Sequence, residues 1–231
     1  MARRAPRWSG DMSERIRRYP GYDVMSKRDG PSWNDATRHA IDARRAPVRG
    51  PRLLTQEQWQ VLCAACARIV PQPTDRPPVP LPDLVEGRLF ERGSDGYRDA
   101  RLPAPLDAYR LGLDALDVAA RERHDSGFAA LGGAAQDALL QAAQDGALDG
   151  PAWKGMPSAL FFSERLVHDI TSAYYADPVA WNEIGFGGPA SPRGYVRMNF
   201  NKRDAWEAAE ASDASDSADA RRIEEKNRRV R

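Results

Sequence analysis

The sequence predicts a mainly α-helical fold: a single helical domain of about five helices, an extended N-terminal arm, and a C-terminal tail that is disordered or ordered only against a partner. Three observations lead there. Apolar residues recur at helical spacing in several long segments. No period-two alternation persists beyond a short piece at Tyr195–Phe200. Clusters of proline and glycine separate the helical segments, while both ends are polar and charged. The organisation expected is therefore an Arg-rich arm over residues 1–50, a helical domain over 51–206 and a charged tail over 207–231.

A chain of 231 residues is long enough for one real core with length to spare. Its hydrophobic fraction of 42% is slightly low, and 18 prolines are many, which fits a compact body carrying extended segments. The net charge of +1 conceals an asymmetry: residues 1–52 hold twelve Arg and one Lys against six acids, whereas residues 204–220 hold six acids and no base. Two cysteines imply no disulfide framework. No apolar run is long enough to span a membrane. The pairs Arg3-Arg4 and Arg17-Arg18 are followed by no apolar stretch, so a twin-arginine or secretory signal is not expected and the chain reads as cytoplasmic.

In order, the arm is interrupted by Pro20-Gly21, Gly30-Pro31 and Pro47, and its exceptions are aromatic: Trp8, Tyr19, Tyr22 and Trp33. Ser32 and Asn34-Asp35 offer caps for a short helix through Ala36, His39, Ala40 and Ile41. Such an arm buries too little to fold alone, so it is either a disordered tail or a segment laid across another surface. The next helix is well marked. Thr55 and Gln58 make a capping box, and Leu54 with Trp59 is placed as a hydrophobic staple. Trp59, Leu62, Cys63, Cys66, Ile69 and Val70 then trace one apolar face until Pro71. Residues 71–82 are a stiff proline-rich connector. A short helix around Leu84, Val85, Leu89 and Phe90 closes at Gly93.

From Pro105, a longer helix sets Leu106, Tyr109, Leu113, Leu116 and Ala120 on one side. Phe128 and Leu131 lead into another, with Leu139, Leu140 and Ala143 inward and an end near Gly146. A turn region at Gly150, Pro151, Gly155 and Pro157 holds Trp153. Then Phe162, Leu166, Ile170 and Tyr174 recur every fourth residue until Asp177-Pro178, where proline disfavours helix in the residue before it. Beyond that point Trp181, Ile184 and Phe186 sit among Gly185, Gly187, Gly188, Pro189 and Pro192, in a segment expected to be irregular. It is either an ordered loop capping the chain's own helices or a surface made for a second protein. In the tail after Trp206, residues 222–231 could form a solvated helix, but no apolar face supports it, so disorder or order only against a partner is expected.

Residues for chemistry are sparse. Cys63-Ala-Ala-Cys66 invites a thiol redox reading, but both cysteines lie mid-helix on an apolar face, whereas a reactive pair needs an exposed, low-pKa thiolate. Zinc would need further ligands at matching spacing, and none is present. His168 and Asp169 are neighbours on a helix, so their side chains diverge by about 100° and no dyad is expected. Gly185-Phe-Gly-Gly follows no strand and opens no helix, which argues against a dinucleotide site. The basic arm suits phosphates, yet the near-neutral whole argues against a dedicated nucleic-acid module. No residue is therefore assigned to catalysis, cofactor or metal.

Four segments carry a family resemblance. Tyr22 to Arg45 (YDVMSKRDGPSWNDATRHAIDARR), Leu54 to Pro71 (LTQEQWQVLCAACARIVP), Tyr109 to Leu140 with its Phe-x-x-Leu and Gln-Asp-Ala-Leu-Leu, and Phe161-Phe162 through Asp177-Pro178 to Trp181-Asn-Glu-Ile-Gly-Phe stand in the order and spacing of one family. The chain resembles the gluconate 2-dehydrogenase subunit 3 family, the small subunits of flavin-dependent sugar or alcohol dehydrogenases. That resemblance implies a non-catalytic accessory subunit without cofactor. It would wrap and stabilise a large oxidoreductase of the glucose-methanol-choline (GMC) type, which holds the FAD. Export would follow only if that partner carries a signal. Many members have a Gly-Gly-Asn segment after the Asp-Pro; here Val179-Ala180 leads straight to Trp181, so a shorter loop must meet the partner.

Physical reasoning adds where a partner would touch. Aromatics and arginine are favoured at buried interface centres. Trp8, Tyr22, Trp33, Trp181, Phe186, Arg193 and Tyr195 are the expected contacts, in an interface above the ~1,600 Å² of a standard complex.

Overall fold

The computed structural model describes residues 18–46, 50–92, 96–191, 194, 207–211 and 216–228. Among them the protein is mainly helical, and its only β-like feature is an isolated bridge between Trp33 and Ser191. The helices are α1 Asp35–Arg45, α2 Gln56–Ile69, α3 Leu81–Arg92, α4 Pro105–His124 and α5 Gly133–Gln144. After these come α6, which runs without a break through Ser158–Phe161, a π-helical Phe162–Val167 and His168–Tyr174; α7 Pro178–Ile184; and α8 Ser217–Arg228. The chain forms two compact units, one from Arg45–Asp177 and one from its two ends, Met1–Arg44 with Pro178–Arg231. The expected boundaries at 50 and 206 divide it differently, because composition does not reveal that the ends fold together.

Residues 45–177 contain the five helices expected of a helical body. Helix α2 opens with the reciprocal cap: Thr55 Oγ1 accepts from the Gln58 amide at 3.2 Å, and Gln58 Oε1 accepts from the Thr55 amide at 3.1 Å. Its buried face runs through Gln58, Val61, Leu62, Ala65 and Cys66, so it is rotated by about one residue from the face drawn through Trp59 and Cys63. The Gln58 amide nitrogen donates to Asp114 at 3.0 Å, which gives a polar residue its reason to face inward.

The proline-rich connector is closed by one side chain. Gln72 donates to the Val79 carbonyl and accepts from the Val79 amide, at 2.9 and 2.6 Å. Helix α3 then buries Leu81, Val85 and Glu86, and leaves Phe90 exposed beneath the Arg52 guanidinium at 4.8 Å. The Glu86 carboxylate, fully buried, accepts from the amides of Arg52, Leu53 and Leu54 at 2.8–3.0 Å. One buried charge thus organises the turn that delivers the chain into α2.

Helix α4 is the centre of this unit. Proline at its first position suits a helix start, and Asp125 ends it with φ 51°. It packs against α2, α5, α6 and the turns at Phe128–Ala130 and Pro151–Trp153. Gly112 lies under the Phe161 ring, whose Cε atoms would be 2.5 Å from any added Cβ. Phe161 in turn meets Tyr109 and Trp153 edge-on, each at 5.9 Å. Asp117 accepts from the Phe128 amide at 2.8 Å and fixes the exit turn. Helix α5 ends as expected: Gly146, at φ 72°, returns its amide to the Ala143 carbonyl.

Two expectations fail outside this unit. Residues 178–184 are helical rather than irregular, since Pro178 cannot continue α6 but is pre-set to begin α7. The tail also forms α8, although its sequence shows no apolar face, because the face it buries is small: Ala220 and the stem of Glu224.

Candidate partner-binding surface

The unit built from the chain ends centres on Tyr22, Val24, Trp33, Ile41, Trp181 and Ala208, with Tyr19 and Met25 packed against them. Asp23 caps a short turn, Val24–Lys27, by accepting from the Met25 amide at 3.1 Å. Asn34 accepts from the Thr37 amide at 2.9 Å and starts α1, whose Ile41 points into the cluster. From the other end of the chain, Asn182 on α7 accepts from the Val24 amide at 2.8 Å. Ser191 accepts from the Asn34 amide at 2.9 Å.

Between α7 and Ser191 runs a turn in which residues 185–188 are each met by the arm. Gly185 has φ +66°, and a Cβ there would lie 2.5 Å from the Tyr19 ring. The Phe186 carbonyl accepts from Tyr22 Oη at 3.3 Å. The Gly187 carbonyl accepts from Lys27 Nζ at 3.0 Å. Gly188 has φ +65°, and a Cβ there would lie 3.0 Å from Val24 and 3.2 Å from the Trp181 ring. Lys27 is itself buried, donating to Tyr22 Oη at 3.1 Å with its ammonium 5.5 Å from that ring's centre. What remains outside is the Phe186 side chain, 43% exposed and edge-on to Trp181 at 5.4 Å, with Ile184 beside it in sequence at 49%.

The expected contact residues divide accordingly. Tyr22, Trp33 and Trp181 are 6%, 2% and 4% exposed, so they are not rings displayed on an open surface. Segments from opposite ends of the chain cover one another, which no local pattern reveals. Phe186 does remain on the surface. Trp8, Arg193 and Tyr195 lie outside the described residues, as does the short alternating piece Tyr195–Phe200. Lys27 and Asn182 were not among the sequence-predicted contacts, and Tyr19 stood there only as an aromatic of the arm. A lone lysine in an Arg-rich stretch and three glycines around one phenylalanine were the available signals.

The tail belongs to the same unit. Gly21 lies against α8, where a Cβ would sit 3.0 Å from Glu224 Cβ. Arg228 donates to the Gly21 carbonyl at 2.8 Å, and the Ala211 amide donates to the Arg18 carbonyl at 2.7 Å.

Groups suited to chemistry are placed unfavourably for it. Burial pushes the Cys66 thiol far above its ordinary range, and Cys63 is raised by burial and by Asp83. Both therefore stay protonated and weakly nucleophilic at neutral pH. His168 and Asp169 do meet, contrary to expectation: His168 Nδ1 is 3.0 Å from Asp169 Oδ1. Their Cβ directions diverge, but the two side chains fold back towards each other along the helix surface. Asp169 Oδ2 is 3.1 Å from the Tyr109 hydroxyl, which also lies 3.2 Å from the Arg165 carbonyl in the π-helical turn. Burial holds the Tyr109 phenol well above its ordinary pKa, and the Asp169 charge adds to this. Arg165 is buried 3.9 Å from the same carboxylate, so the group reads as a bonded support for the widened helical turn. Among the described residues no three His, Cys, Asp or Glu side chains gather as metal ligands would, and no helix is long and apolar enough to cross a membrane.

Comparison with known proteins covers the later segments of the resemblance and leaves out Tyr22 to Arg45. A family model described as "Gluconate 2-dehydrogenase subunit 3" matches residues 56–188, more than half of the chain. No curated protein and no solved structure matches it.

Proposed function

This chain belongs to the gluconate 2-dehydrogenase subunit 3 family, the subunits of a dehydrogenase complex, and on that premise we propose that it is a non-catalytic accessory subunit. It binds and stabilises a large FAD-dependent oxidoreductase of the GMC type that acts on a sugar or alcohol. The family match carries this reading. The flavin and the reacting groups belong to the partner, and this chain contributes surface.

The geometry supports that division. The raised thiols weigh against a free-standing redox pair, and the buried charges Glu86 and Arg165 are engaged with their own fold. Phe186 supports a docking role, since its backbone is fixed by hydrogen bonds while a large apolar face is left to solvent. Anchors of that kind account for much of the energy of protein interfaces. Tyr22, Trp33 and Trp181 act in this reading as the support behind the anchor. The thermal inactivation rate of the large subunit, with and without this chain, tests the proposal. Slower inactivation in its presence is the expected result, and an unchanged rate overturns it.

A further inference from the structure

We propose that Lys27 is a positioning residue, and that through it the N-terminal segment around residues 19–27 moulds the Phe186 turn, so that seating this segment and presenting Phe186 are one event. The inference rests on the reading that Phe186 meets the partner.

A turn with glycine at 185, 187 and 188 has a large conformational entropy to lose, and of its own side chains only Phe186, against Trp181, is large enough to help hold it. Its shape is imposed from outside. Tyr19, Tyr22, Lys27 and Val24 touch residues 185, 186, 187 and 188 respectively, one arm residue to each turn residue. Two of these contacts are packing against backbone with no room for a Cβ, and two are hydrogen bonds to successive carbonyls. Lys27 ties the set together, because its ammonium donates both to Tyr22 Oη and to Gly187. A buried ammonium is tolerable only where such acceptors are in place. Lys27 is therefore seated with the turn formed, and its bond to Gly187 adds to the contacts of Tyr19, Tyr22 and Val24 that hold the turn in shape. A rigid anchor binds more tightly than a mobile one because less order is lost on docking. Linkage then makes the effect reciprocal: a partner that takes Phe186 also tightens the arm.

The test uses the full chain and, as probe, the large flavoprotein subunit that co-purifies with it. Hydrogen exchange in the free chain reads the first half. The Phe186 amide bonds to the Trp181 carbonyl and the Asn34 amide to the Ser191 carbonyl, so both report on the turn. Lys27→Met is expected to speed exchange at both by about ten-fold or more while α2–α6 stay protected. Unchanged protection at both overturns the proposal. Should Lys27→Met also expose α1 and α8, Tyr22→Phe is read instead, since it removes only the hydroxyl and predicts the same local loss.

A double-mutant cycle reads the second half. Lys27→Met is expected to weaken the partner about ten-fold in the wild-type background and not at all in Phe186→Ala, because Lys27 acts through that ring. Equal weakening in both backgrounds means a general structural role and overturns the proposal. If Phe186→Ala itself costs no affinity, the docking reading has failed instead.

Discussion

Lys27 Nζ lies 3.0 Å from the Gly187 carbonyl although 160 positions of sequence separate the two residues. The bond closes a unit assembled from the ends of the chain, and in that unit Tyr22 and Trp33 are sheltered by the chain itself. Tyr22 and Trp33 come from one end and Trp181 from the other, and each supplies what the others lack alone.

Glu86 gives a sharp prediction for the other unit. Glu86→Ala leaves the amides of Arg52, Leu53 and Leu54 buried without an acceptor, at an expected cost of about 2–4 kcal/mol in denaturant unfolding. Glu86→Gln keeps one acceptor oxygen and is expected to cost about half as much. A loss below about 1 kcal/mol for the alanine variant would mean that water replaces the carboxylate easily.

Gly112→Ala sets two effects against each other. Alanine is favoured over glycine in a helix by about 1 kcal/mol, but the new methyl falls on the buried Phe161 ring. Because Trp153 and Tyr109 fix that ring, overpacking is expected to win, for a net destabilisation of about 1–2 kcal/mol in denaturant titration. Adding Phe161→Leu is expected to recover part of it, and a more stable Gly112→Ala protein would contradict the packing described.

Alkaline pH should weaken the same core. The Cys66 thiol and the Tyr109 phenol titrate in the fold above their ordinary values of 9.0 and 10.0. The unfolded chain therefore releases these protons first. Their contribution is intact below the ordinary values and is lost as pH rises through them, by up to about 1.4 kcal/mol per pH unit for each group. Cys66→Ala is expected to flatten the stability curve just above 9.0, and Tyr109→Phe the part above 10.0. Curves measured by denaturant unfolding that keep their slope in both variants would refute the assignment.

Much of the helical body was legible because its signals are local. The Thr55–Gln58 cap, Pro105 and Gly146 mark their helices by chemistry confined to a few residues. The α2 face was read one residue off, because Gln58 is buried by a bond to Asp114, fifty-six positions away. Helix α7 was missed, and α8 was foreseen only as an unsupported helix over 222–231, for the same kind of reason. Neither carries a broad apolar stripe, and each is held by contacts with the arm, Asn182 to Val24 and α8 to Gly21. Of the candidate surface, Phe186 was visible as a large ring among glycines. That Trp33 and Trp181 stand behind it depends on a closure between the chain ends that no periodicity encodes.

Size-exclusion chromatography with absorbance detection, on the tagged full chain purified from the cells that make it, compares wild type with Phe186→Ala. The wild-type chain is expected to elute with a larger chain that carries flavin absorbance, and the variant to retain its helical content while recovering about ten-fold less of that partner. A wild-type chain that elutes alone, or a variant that keeps as much flavoprotein as wild type, would contradict a docking role for this surface.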